Sequence, residues 1–111
     1  AGAPLPKGYE PDGEDLSAAL LGRTPARRKP LFWEYGRNDT AFACPGPRGD
    51  RSPNVAVRDG AWKLLVNADG TGAELYDVAA DPTEATDVAA AHPDVARRLA
   101  ALAVGWRRSL P

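Results

Sequence analysis

The chain has 111 residues, 14 Lys plus Arg against 15 Asp plus Glu, and a formal net charge of −1. That length suits one domain with a modest core, burying roughly 65% of its unfolded surface. Near-neutral charge excludes a general pull toward nucleic acid or anionic membrane, and no apolar run approaches the roughly 18 residues of a membrane span. A single cysteine cannot form an internal disulfide. Methionine is absent, at position 1 as elsewhere, which suggests a processed product or an excised piece.

Residues 1–14 hold three prolines and three glycines without an apolar period, as an entering linker does. DLSAALLG follows as a short helix: Asp15 suits the N-cap, Leu16 and Leu20 share a face, and Gly22 suits the left-handed position after the end. RTPARRKP is a basic, solvated loop. LFWEY, residues 31–35, has the aromatic content of a buried leading strand. Residues 36–53 carry neither a strand nor a helix period, and a loop of that length is functional or disordered.

NVAVRDGAWKLLVN is the clearest hairpin in the chain. Val55 and Val57 alternate with Ala56 and Arg58, Asp59 and Gly60 are expected to supply a type I′ turn, and a second strand starts at Trp62. ELYDV, residues 74–78, adds a third consecutive strand after the ADGTG turn. DPTE, residues 81–84, then has the helix-start pattern of Asp at the N-cap, Pro at N1 and Glu at N3. HPDVARRLAALAVGWRRSLP repeats the device and predicts a long helix over 93–110. Its stripe is Val95, Leu99, Leu102, Trp106 and Leu110, at spacings of 4, 3, 4 and 4. Strands and helices in separate blocks define an α+β fold: a small antiparallel sheet, a meander plus a leading strand, packed by the C-terminal helix.

The residues offer little catalytic chemistry of their own. Cys44, in CPGPRG, is the only cysteine and His92 the only histidine; they lie far apart and nothing pairs them, so Cys44 is read as an unmodified loop cysteine. One Cys and one His do not make a zinc site. Asp77, Asp81, Glu84 and Asp87 are read as strand exit and helix caps rather than as a cluster for a hard cation. Ser17, Ser52 and Ser109 lack the G-x-S-x-G elbow of a serine nucleophile. Trp33, Trp62 and Trp106 are read as buried anchors.

The order of the pieces resembles a known family. DGEDLSAALLGRTPARRKPLFWEY looks like the segment by which arylsulfatase-type, formylglycine-dependent sulfatases leave their catalytic domain. NVAVRDGAWKLL resembles the following AVR-x-G-x-W-K hairpin, and ELYDVAADPTEATDVAAAHPDVARRLAALAVGW resembles the closing strand, turn and helix. Asp87 stands where asparagine is common. CPGPR differs from the family's Cys-x-Pro-x-Arg motif, because Gly46 occupies the proline position.

The resemblance, covering about residues 11–110, implies the C-terminal subdomain of the sulfatase branch of the alkaline-phosphatase-like superfamily. It implies a larger α/β catalytic domain as partner and hydrolysis of sulfate esters to an alcohol and inorganic sulfate. Formylglycine would attack sulfur there, while calcium neutralises the sulfate oxygens. No position here matches those catalytic or metal residues, so the segment is expected to be structural, inactive alone, and part of the substrate-cleft rim through Glu34, Arg37 and Asn38. Periplasmic or secreted location is implied by the same resemblance. Two other readings stay open: a stand-alone binding module, or the tail of a related phosphoester or phosphonate hydrolase.

Overall fold

A computed structural model describes residues 4, 6–9, 11, 13–35 and 52–111. Four strands, β1 (Leu31–Glu34), β2 (Val55–Asp59), β3 (Trp62–Val66) and β4 (Glu74–Asp77), form one antiparallel sheet in sequence order. A leading α1 (Ser17–Leu20) precedes it and α2 (Pro93–Ser109) closes the chain. This is the α+β meander with a leading strand and a packed C-terminal helix that the alternation of residue types implies.

The register divides the sheet into two unlike faces. Phe32, Val57, Leu64 and Leu75 lie opposite one another across the four strands, and together with Val55 and Val66 they meet Ala96, Leu99 and Ala103 of α2 in the core. On the other face run two rows: Leu31, Arg58, Lys63 and Tyr76, then Trp33, Ala56, Leu65 and Glu74. Val55, Ala56 and Val57 are all buried, so β2 is covered on both faces instead of alternating.

Two ion pairs tie α2 along the strands. Arg98 Nη1 donates to Asp59 Oδ2 at 2.8 Å, and Arg107 Nε donates to Glu34 Oε1 at 3.0 Å. Nine helical residues rise about 13.5 Å. The four-residue step from Val55, the partner of Glu34, to Asp59 covers about 13.6 Å of strand. The equal lengths let one helix meet both carboxylates while lying along the strands.

Several details depart from the sequence expectation. The hairpin pairs Asp59 with Trp62, leaving Gly60 and Ala61 as the two-residue loop. Only Gly60 takes a positive φ, 61°, so the loop has the type II′ sign pattern, and Asp59 remains in the strand to bind Arg98. The helix predicted from DPTE does not form: α2 begins only at Pro93. Asp81 N–H, which a capping-box Glu84 needs, donates instead to Asp77 O at 2.7 Å. Glu84 itself turns left-handed, with φ 56°.

In α2 the buried residues are Ala96, Leu99 and Ala103, with Val95 and Trp106 partly buried against the core, while Leu102, and Leu110 just past the helix end, are each 39% exposed. The buried line is therefore turned by roughly 50° from the predicted stripe, at 3.6 residues per turn. Small side chains at 96 and 103 let the helix approach the sheet, and bulkier Leu102 moves to the flank. In α1, Asp15 Oδ1 accepts the Ser17 N–H at 2.9 Å, one residue ahead of the N-cap position at Leu16. Gly22 takes the expected left-handed φ, 74°. No residue of α1 is buried; Leu20 is 90% and Leu21 78% exposed.

Candidate functional site

Glu34 is the one rim candidate among the described residues; Arg37 and Asn38 lie outside them, as does Cys44. β1 places Glu34 on the helix-facing side, next to Arg107. Its side chain is 10% exposed and that of Arg107 28%, so the carboxylate is committed to the guanidinium. One residue on, Tyr35 N–H donates to Asn54 O at 2.8 Å. This bond continues the β1–β2 ladder one residue beyond each strand.

A second group of polar side chains sits on the face away from α2. Lys63 Nζ is 2.6 Å from both carboxylate oxygens of Glu84 and 5.7 Å from the centre of the Trp33 ring. The ion pair is half-buried, which raises its worth above that of a surface pair while adding desolvation cost. Beside it Tyr76 Oη donates to Glu74 Oε2 at 2.9 Å. Burial pushes the Tyr76 phenol up to about 12, with the Glu74 hydrogen bond and the charges of Glu74, Asp87 and Glu84 adding to it.

Asp77, which ends β4, and the carboxylates at 81, 84 and 87 after it have identifiable partners. Asp77 Oδ1 accepts from the backbone N–H groups of Ala79 and Ala80. Asp81 accepts from the Thr83 hydroxyl and the Thr86 N–H, which hold its carboxyl below the usual range. Asp87 Oδ1 accepts from Leu75 N–H at 3.0 Å and Ala89 N–H at 2.8 Å. Asp81, Glu84 and Asp87 thus serve turns, a lysine and the β4 edge rather than helix caps. A calcium site needs converging oxygens, and among the described residues no three His, Cys, Asp or Glu side chains come together. The described residues do not fit that ion.

A cleft of about 710 Å³ opens where β1 meets the end of α2, lined by Arg27, Lys29, Leu31, Phe32, Trp106 and Leu110 among others. The Phe32–Trp106 stack forms part of its lining, with ring centres 5.3 Å apart and planes 12° from parallel. The cations at its mouth are engaged: Lys29 Nζ donates to Pro11 O at 2.9 Å, and Arg27 Nε donates to Lys29 O at 3.2 Å. Trp106 and Phe32 were legible as apolar positions, but their stacking joins residues too far apart in sequence to be paired by pattern. Sequence reasoning missed the Lys63–Glu84 pair too; its one available cue is a charge in a short strand with Glu84 downstream in a turn-rich segment. Trp62 is partly buried against the core, with its ring centre 4.9 Å from that of His92, so it anchors the sheet without being enclosed.

Fold and site together define a small sheet-and-helix unit whose polar groups are mostly committed to one another. No protein-family model matches the chain. It is similar to the N-acetylgalactosamine-6-O-sulfatase of Bacteroides thetaiotaomicron, with 30% identity over 99 residues. The match takes in 89% of this chain and 19% of that protein. The chain thus spans about a fifth of the length of the curated relative it matches. Among the described residues no helix is long and apolar enough to cross a membrane.

Proposed function

We propose that this chain is the C-terminal subdomain of a formylglycine-dependent sulfatase, which hydrolyses sulfate esters to an alcohol and inorganic sulfate. The observation that carries the reading is the similarity to a sulfatase over 89% of the chain. The bare Leu20 of α1 and Leu21 just after it support the reading: a four-residue helix with no buried residue gains little from its own segment. A larger neighbour covering Leu20 and Leu21 would supply the missing burial.

In this reading the segment is structural. Formylglycine and calcium belong to the α/β catalytic domain, and no residue of this chain takes part in the bond-making step. Glu34, Arg37 and Asn38 contribute to the rim of the substrate cleft. The Arg107 pair fixes Glu34 and the strand end from which Arg37 and Asn38 follow. The parent enzyme is periplasmic or secreted.

The test begins with the reading frame upstream of the Ala1 codon. The expected frame runs on for several hundred codons with Cys- or Ser-x-Pro-x-Arg. Its full product releases sulfate from sulfated sugars or aryl sulfates, while the 111-residue chain releases none. A start codon directly before Ala1, or a full product that releases phosphate but no sulfate, would overturn the reading. In the full enzyme, Arg37→Ala is expected to lower kcat/KM; unchanged values across substrates would remove the rim role alone.

A further inference from the structure

We infer that residues 78–92 form a strap with two conformations written into the sequence. One is the docked turn seen here and the other an α-helix; the Lys63–Glu84 ion pair selects the turn. The inference does not depend on the sulfatase reading.

The helical alternative is coded locally. Asp81, Pro82 and Glu84 have the pattern of a helix start, and Ala85, Ala89, Ala90 and Ala91 follow. Alanine is the strongest helix former. The structure nevertheless holds Glu84 at φ 56°, the one positive φ outside glycine among the described residues. A single left-handed residue interrupts a right-handed helix and is disfavoured for any side chain with a Cβ. Something must hold it there.

The geometry identifies the holder. In a helix starting at Asp81, the Glu84 side chain would fold back toward the Asp81 N–H. Here it extends to Lys63, with both oxygens 2.6 Å from Nζ, and Lys63 is kept in place beside Trp33 on a sheet face. Beyond Glu84 the strap runs along the outer edge of β4. Val88 N–H donates to Leu75 O at 2.8 Å, and Asp87 Oδ1 accepts the Leu75 N–H at 3.0 Å. A helix through Asp87 and Val88 would withdraw both partners from Leu75. The turn therefore covers the β4 edge and the helix bares it, and a bare edge is a template for another strand.

The experiment compares Glu84→Ala, Glu84→Gly and Lys63→Met in the full 111-residue chain. The readouts are 13Cα secondary shifts over residues 82–91 and the exchange rates of the Leu75 and Val88 amides. Alanine removes the ion pair and favours a helix, so helical shifts and at least roughly tenfold faster exchange are expected. Glycine removes the same pair but accepts a left-handed φ freely, so the turn is expected to persist. Lys63→Met leaves Glu84 without its partner and is expected to follow alanine; it carries the test if Glu84→Ala does not fold. Turn shifts with unchanged exchange in Glu84→Ala or Lys63→Met would overturn the inference. Helical shifts in Glu84→Gly would do the same.

Discussion

Truncating two leucines three residues apart separates the observed seat of α2 from the seat its hydrophobic stripe predicts. Leu99 is fully buried against the sheet, whereas Leu102 is 39% exposed. The stripe treats the two alike. Leu99→Ala should cost about 3–5 kcal/mol, the transfer term plus the cavity left between α2 and the sheet. Leu102→Ala should cost about 1 kcal/mol or less, because solvent already reaches the side chain and no closed void forms. For a domain of this size, with about 5–15 kcal/mol in total, the first loss moves the urea midpoint far and the second only slightly. Urea unfolding followed by far-ultraviolet circular dichroism reads both, with an unchanged m-value confirming that stability alone has moved. Equal losses for the two variants, or a larger one at Leu102, would mean that α2 is rotated from the position described.

The Glu34–Arg107 pair should be asymmetric. Arg107→Ala strands a carboxylate whose side chain is only 10% exposed and should cost about 2–3 kcal/mol; Glu34→Ala leaves a guanidinium that is 28% exposed and should cost about 1 kcal/mol. A double-mutant cycle measures the coupling, and independence of the two substitutions would refute the pairing. Tyr76 contributes to the loss of stability at alkaline pH. Its phenol ionises near 10 in an unfolded chain but at about 12 in the folded one. Between those values the unfolded state binds fewer protons, so stability is fully present below about pH 10 and falls as pH rises toward about 12. Phenolate absorbance should show one tyrosine titrating late, and Tyr76→Phe should remove its share of the alkaline loss.

Where a pattern and its structural cause lay close together in sequence, the fold was legible. The β2–β3 hairpin was marked by Gly60 and the apolar strands beside it, although its loop is Gly60-Ala61 rather than Asp59-Gly60, and its neighbours followed from short apolar runs divided by turn residues. The errors arose where a distant residue decided a local choice. Asp81-Pro82-Thr83-Glu84 carries a helix start, but Asp77 O takes the critical N–H and Lys63, 21 positions earlier, takes the glutamate. The α2 stripe held at Val95, Leu99 and Trp106 but missed Ala96 and Ala103 in place of Leu102, because a hydrophobicity pattern gives little weight to alanine, while close packing on a sheet favours it. At the candidate site Glu34 stood out as a charge ending an aromatic strand. Its partner Arg107 lies 73 positions away, in the last turn of α2, where an arginine already suits the negative end of the helix dipole and so gives no cue to a strand partner.

The two faces of the sheet solve the burial problem differently, and the difference bears on where a larger neighbour would dock. The α2 face is shielded by a helix. On the other face Ala56 and Leu65 are buried, and the described side chains sharing it include Trp33, Lys63, Tyr76 and Glu74. Such amphipathic side chains cover apolar surface with their rings and stems and turn their polar ends outward. The Lys63–Glu84 and Tyr76–Glu74 contacts satisfy those ends, and of the apolar side chains in its two rows only Leu31, on the outer strand β1, is exposed, at 39%. Leu20 and Leu21 have no comparable cover. If the chain is a subdomain of a larger enzyme, its apolar contact runs through the α1 side, and the polar sheet face is left to solvent or to polar contacts.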